Sequence, residues 1–127
     1  MVEGRLSGRS ALITGAADGV GHGMAVRFAA EGAAVLVSDI DEAKGREVVD
    51  ALRRSGGRAE FARADVTKRD DVLGAVAACV EHFGAVDILV NNAYRGNGVH
   101  RIENKSDELF DYGLASCLYA AKWSMEA

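Results

Sequence analysis

Along the chain, short β-branched apolar runs alternate with longer stretches whose apolar residues recur three or four positions apart. The runs are 10–14, Ala34 to Asp39 (AVLVSD), 59–64 and Val86 to Asn91 (VDILVN), and each predicts a strand. The stretches between them, 19–31, 41–55 and 67–83, predict helices. Val48, Val49 and Leu52 form one apolar stripe, and Val72, Val76, Cys79, Val80 and Phe83 form another. Asp41 and Thr67 stand where N-caps belong, with Thr67-Lys68-Arg69-Asp70 approximating a capping box, and Gly32, Gly56 and Gly84 stand at the helix ends. A last helix is expected from Ser106 toward Ala127, with Phe110, Leu114, Cys117, Leu118, Ala121 and Met125 as its apolar face. The stretch from Tyr94 to Lys105 is polar and glycine-bearing and reads as a surface loop.

Strands separated by helix-length crossovers form parallel neighbours, so the pattern predicts an α/β fold with a doubly wound parallel sheet of four strands and four helices. The second and fourth strands are almost continuously apolar, as strands covered on both faces are. No linker, repeat or compositional break divides residues 1–127, and a single domain is expected.

Composition narrows the partners. Hydrophobic residues make up 49% and charged residues 27% of the sequence, with a formal net charge of -4. The lysines and arginines are scattered, so neither a nucleic-acid footprint nor a membrane-binding surface is expected. No apolar run approaches the ~18 residues of a membrane span, and the first five residues carry no signal-peptide core, so the expected location is the cytoplasm. Cys79 and Cys117 lack a CxxC spacing, and His22, His82 and His100 lack partners in sequence. No metal site and no disulfide are expected.

The chemistry gathers where the first strand hands over to the first helix. In ITGAADGVGHG, Gly15 permits a tight turn, while Gly19 and Gly21 allow backbone and helix to come close to a pyrophosphate held by the helix N-terminus. A turn that merely packs a helix on a sheet accounts for the same glycines. Asp39 ends the second strand 18 residues after Gly21, close to the ~20 expected of an acid that accepts hydrogen bonds from an adenosine ribose.

These residues resemble the short-chain dehydrogenases/reductases. Thr14-Gly15-Ala16-Ala17-Asp18-Gly19-Val20-Gly21 looks like the family's TGxxxGxG, Asp65-Val66 like its adenine-contacting pair, and Asn91-Asn92-Ala93 like the start of its NNAG. The resemblance runs from Leu6 onward and implies a Rossmann-type fold and an oxidoreductase moving a hydride between a nicotinamide dinucleotide and an alcohol or carbonyl. It implies cofactor contacts from Gly15, Asp18, Gly19, Val20, Gly21, Asp39, Asp65, Val66, Asn92, Ala93 and Tyr94. NAD is expected rather than NADP, because Asp39 and Asp18 would both repel a 2′-phosphate.

Two positions depart from the family pattern. Tyr94 replaces the glycine of NNAG, and Cys117 stands where a helix asparagine completes the catalytic tetrad; helical spacing makes Cys117 a packing residue. The family's Ser and Tyr-x-x-x-Lys lie on later elements, and none of Tyr94, Tyr112 and Tyr119 has Lys four residues on. Lys122 and Trp123 are expected solvated and partly buried. The residues given therefore read as a truncated cofactor-binding portion without a catalytic residue, expected to form a homo-oligomer when full length. The alternative is a non-catalytic nucleotide-binding or interaction module.

Overall fold

The computed structural model describes residues 3–94 and 101–127. Four parallel strands, β1 (Ser10–Thr14), β2 (Ala34–Asp39), β3 (Arg58–Arg63) and β4 (Ile88–Val90), form one sheet in the order β3-β2-β1-β4. Helices α1 (Gly19–Ala30), α2 (Glu42–Arg54) and α3 (Arg69–Phe83) are the crossovers. After a short 3-10 turn at Ile102–Asn104 come α4 (Asp107–Leu114), a π-turn (Ala115–Tyr119) and α5 (Ala120–Glu126).

The alternation of side chains along the strands explains why the middle of β1 (Ala11–Ile13) and the first four residues of β2 (Ala34–Val37) are apolar. Ile13, Val35 and Val37 pack with Ala25, Val48, Val49 and Leu52 of α1 and α2, while Leu12 and Leu36 pack on the other face with Ala75, Val76 and Cys79 of α3. Both faces are covered, so an inward residue is required at every position. In register, Ala11, Leu12 and Ile13 face Val35, Leu36 and Val37 on one side and Ile88, Leu89 and Val90 on the other.

β1 and β2 have the expected bounds, and β3 begins one residue earlier than expected. β4 is shorter than 86–91 and is only half-buried, because β1 is its one strand neighbour among the described residues. Asp87, expected inside that strand, spends its carboxylate at the strand's base: Oδ2 accepts the N–H of Ser10 at 2.9 Å and its hydroxyl at 3.2 Å.

Three local expectations are corrected. Thr67 does not cap α3; its hydroxyl donates to Asp65 Oδ1 at 2.6 Å, and Lys68 occupies the cap position without a side-chain bond. Val80, placed in the apolar stripe of α3, is exposed, and Ala75 is buried instead. The predicted apolar face of the last helix points largely outward: Phe110, Cys117, Leu118 and Met125 are exposed and Leu114 and Ala121 half-buried, while Ser116, Ala120 and Ser124 are buried. Small residues at these positions let α5 lie close against α3. Ser124 Oγ turns back onto Ala120 O at 2.8 Å and also reaches Asn91 Oδ1 at 3.3 Å.

Asp41 does cap α2, accepting the N–H of Lys44 at 3.1 Å. Trp123 is half-buried and Lys122 is exposed and paired with Glu126, as expected. His22 and His82 are exposed. His100 and part of the predicted 94–105 loop lie outside the described residues. Among the described residues, no helix is long and apolar enough to cross a membrane, and no group of three or more His, Cys, Asp or Glu could hold a metal ion.

Candidate functional site

At the carboxyl ends of the strands, where the order switches between β1 and β4, a cleft of about 650 Å³ opens. Open parallel sheets bind small molecules at such switch points, and the volume lies within the roughly 300–1,000 Å³ usual for small-molecule sites. Every residue predicted for the site lines this cleft except Gly21; Ile40, Asp41, Ala64, Tyr112 and Ser116 complete the lining.

The β1–α1 turn is built around Gly15 and Gly21. Gly15 has φ +64°, and a Cβ there would stand 2.9 Å from Ala93 Cα. A Cβ on Gly21 would stand 2.2 Å from Gly15 O and 2.6 Å from Asn92 Nδ2. Gly21 is buried beneath the turn and seats α1 against it, so it does not itself line the cleft. Gly19, with φ +57° and open space where its Cβ would be, is the glycine that presents bare backbone to the cleft.

Asp18 caps α1 by accepting the N–H of Gly19 at 2.8 Å, and its second oxygen lies 3.6 Å from Lys44 Nζ. The Gly19 N–H, then the Lys44 ammonium, hold the Asp18 carboxyl below the usual range for aspartate. It therefore stays a carboxylate on the cleft rim.

Asp39 joins two walls. Its Oδ2 accepts the N–H of Ala17 at 3.0 Å and its Oδ1 accepts the N–H of Asp41 at 3.0 Å. The same carboxylate thus ties the glycine turn to the end of β2 and shapes the entry to α2.

Asp65 has a comparable local role at the end of β3. Its Oδ1 accepts both the N–H and the hydroxyl of Thr67, at 2.9 and 2.6 Å, while its own N–H goes to Asp71 Oδ2 at 2.9 Å. Burial works to raise its pKa, but the bonds from Thr67 and the charges of Lys68 and Arg63 together lower it.

The far wall rests on Thr14, whose hydroxyl accepts the N–H groups of Asn92 and Ala93, both at 3.0 Å. That hydroxyl donates to Val90 O at 3.3 Å. Asn92 Nδ2 in turn donates to Thr14 O at 3.0 Å and Gly15 O at 3.3 Å. Asn92 is therefore a strut between the ends of β4 and β1, and Tyr94, two residues on, is an exposed aromatic on the cleft.

Sequence reasoning passes over Ile40, Tyr112 and Ser116, and gives Asp41 only its capping role. Ile40 follows Asp39 directly and its apolar side chain is a readable signal. Tyr112 and Ser116 share a helix face four residues apart, but nothing in the sequence places that face beside the cleft.

A family model described as short chain dehydrogenase matches residues 9–123. Over 125 residues the chain is 34% identical to a 3beta-hydroxysteroid dehydrogenase of Mediterraneibacter gnavus, covering 95% of this chain and 45% of that protein. Its structure is similar to the crystal structure of a hydroxysteroid dehydrogenase from Escherichia coli, with a TM-score of 0.90 and 34% identity over 96% of this chain and 51% of the other. It is also similar to a 3-ketoacyl-(acyl-carrier-protein) reductase from Brucella melitensis complexed with NADH, with a TM-score of 0.87 and 39% identity over 95% of this chain and 49% of the other. The chain spans less than half the length of the curated relatives it matches, 45% and 42% in two of them.

Proposed function

This chain belongs to the short chain dehydrogenase family, and on that premise we propose that it supplies the cofactor-binding portion of an NAD-dependent oxidoreductase acting on an alcohol or carbonyl. The observation that carries the reading is the joining of two features on one cleft: the open Gly19 turn at the start of α1, and Asp39, which holds that turn through Ala17.

The residues fit a dinucleotide in its several parts. Gly15, Asp18, Gly19 and Val20 form the turn and helix start, where the first-turn N–H groups other than that of Gly19, which Asp18 holds, and the partial positive charge of the helix suit a pyrophosphate. Asp39 offers remaining lone pairs to ribose hydroxyls, since each carboxylate oxygen accepts more than one hydrogen bond. Asp65 and Val66 are assigned to the adenine, and Asn92, Ala93 and Tyr94 to the nicotinamide end. Gly21 acts behind this surface by letting α1 seat on Gly15.

When bound, the nicotinamide supplies the hydride acceptor or donor, and the chain's own residues bind and orient it. No Tyr in these 127 residues has Lys four positions later, so the protonic half of the reaction is assigned to none of them. The relatives, hydroxysteroid dehydrogenases and a 3-ketoacyl-(acyl-carrier-protein) reductase, favour a secondary alcohol or ketone as substrate class.

NAD is preferred over NADP in this reading. A 2′-phosphate about 4 Å from Asp39 would meet a repulsion of about 4 kcal/mol per unit charge pair at an effective dielectric near 20, before salt screening. The test is a fluorescence titration with NADH and NADPH, with ADP-ribose as competitor. NADH bound more tightly and displaced by ADP-ribose is the expected result. Equal or tighter NADPH binding overturns the preference, and no binding of either overturns the dinucleotide reading.

A further inference from the structure

Tyr94 ends the wall that Thr14 holds in place. The Thr14 hydroxyl accepts the N–H groups of Asn92 and Ala93, both at 3.0 Å, so the backbone leading into Tyr94 is fixed against the end of β1. The side chain that follows is not packed away: Tyr94 is 62% exposed and lines the cleft. A ring left uncovered on a cleft wall keeps its π-face, the negative side of its quadrupole, available to a ligand. A glycine at this position offers backbone alone.

Among the described residues two aromatics line the cleft, and their settings differ. Tyr112 is half-buried on α4, whereas Tyr94 directly follows Asn92 and Ala93, the residues assigned to the nicotinamide end. The charge of the lining points the same way. Asp18, Asp39, Asp41 and Asp65 all line the cleft, and among the described residues no Lys or Arg does. A positively charged ligand group is therefore favoured twice, by the field of the carboxylates and by the face of an aromatic ring. In a nicotinamide dinucleotide the one formal cation is the pyridinium of the oxidised form, and taking up a hydride makes that ring neutral.

Resting on the dinucleotide reading above, we propose that Tyr94 is a specificity residue for the redox state of the cofactor: its ring stands against the nicotinamide and favours the pyridinium over the neutral dihydronicotinamide. The site is thereby biased toward the form that accepts a hydride, and so toward oxidation of an alcohol, with the reduced form held less tightly than it would be without this bias. Tyrosine suits the position because its face binds a cation while its hydroxyl remains in water, which makes an exposed ring tolerable.

The test is isothermal titration calorimetry of the chain with NAD, NADH and ADP-ribose, the last of which lacks the nicotinamide ring. Wild type is compared with Tyr94→Leu, which keeps an apolar side chain but has no π-face, and with Tyr94→Phe, which keeps the face and loses the hydroxyl. Because Tyr94 is largely exposed, both variants are expected to melt within a few degrees of wild type. Tyr94→Leu is expected to weaken NAD binding about threefold to fivefold, the scale of one partly exposed cation–π contact, and NADH binding by less than about twofold. ADP-ribose affinity is expected to be unchanged in both variants, and Tyr94→Phe to retain the wild-type preference.

An NAD affinity unchanged in Tyr94→Leu overturns the proposal. An equal loss for NAD and NADH also overturns it, because the ring would then not sense charge. A loss shared by ADP-ribose would assign Tyr94 to the fold or to the adenosine half, and a Tyr94→Phe defect as large as that of Tyr94→Leu would assign the effect to the hydroxyl; either result is equally fatal. Wild-type protein that binds none of the three ligands fails the dinucleotide reading itself, a result distinct from all of these.

Discussion

Asp39 at the end of β2 accepts the backbone N–H of Ala17 at 3.0 Å, so the acid assigned to the ribose is also a structural tie to the glycine turn. Replacing it therefore has two separable consequences. Asp39→Ala should narrow the NADH-to-NADPH affinity gap and also destabilise the fold by about 1–2 kcal/mol, the scale of a hydrogen bond to a charged group at a partly exposed site. Asp39→Asn, which loses the charge but keeps one oxygen for one of the two N–H groups, should narrow the gap with a smaller drop in Tm than Asp39→Ala. Titration and thermal melts on the same preparations check this; an Asp39→Ala protein with wild-type Tm would show that the Ala17 bond contributes nothing.

Gly21→Ala should be costly. Its Cβ would stand 2.2 Å from Gly15 O, so α1 must shift off the turn, with an overpacking cost of about 1–3 kcal/mol and a loss of dinucleotide affinity. Gly74, on α3, is exposed, and a Cβ added there would meet nothing within 4 Å. Gly74→Ala should stabilise by up to about 1 kcal/mol through helix propensity, with affinity unchanged. Denaturant melts of the two variants should move in opposite directions.

The two thiols should react at very different rates. Cys79 is buried with its Sγ toward Ala85 O at 3.6 Å, and burial, with the Asp87 charge behind it, pushes its pKa up to about 11. Cys117 is exposed. A colorimetric thiol assay at pH 8 should count one fast thiol in the native protein and a second only after denaturation, with Cys117→Ser removing the fast phase. Two fast thiols would place Cys79 at the surface.

The acid limb of stability should carry a contribution from Glu31. Its carboxylate accepts the N–H of Arg5 at 3.1 Å and pairs with the guanidinium groups of Arg5 and Arg27, which together hold its pKa at about 2. A folded pKa below the unfolded value of 4.5 stabilises fully above that value and progressively less as pH falls toward 2. Glu31→Gln should therefore flatten the pH dependence of Tm across this window and converge with wild type at its lower end. A parallel offset at all pH values would count against the linkage.

How much of this is readable in the sequence depends on what local pattern can encode. β1 and β2 are delimited correctly because burial on both faces makes their central positions, Ala11–Ile13 and Ala34–Val37, a continuous apolar run, a signal that needs no partner to interpret. The glycine turn and Asp39 are legible for a similar reason, since a fixed spacing carries them. Thr67 misleads because a hydroxyl next to an aspartate has two uses, and Asp65 claims it. The last helix misleads more deeply: periodicity identifies residues that share a face without saying which face turns inward. There the apolar side lies outward, and the small residues Ser116, Ala120 and Ser124 mark the packed side. Lys44 gives no local signal because its partner lies on another helix, 26 positions earlier in the chain.

The strut from Asn92 to Thr14 gives the molecule an order of events. The β1–α1–β2 and β2–α2–β3 units join neighbouring segments, but Asn92 reaches Thr14 across 78 residues of chain, so its loop closes at a larger entropic cost than those local units and is expected after the local helices have formed. Until β4 docks, the cleft lacks the wall formed by Asn92, Ala93 and Tyr94. Ligand-binding competence is thus a late milestone of refolding: in a stopped-flow experiment the far-UV helical signal should rise first, and the enhancement of NADH fluorescence should trail it.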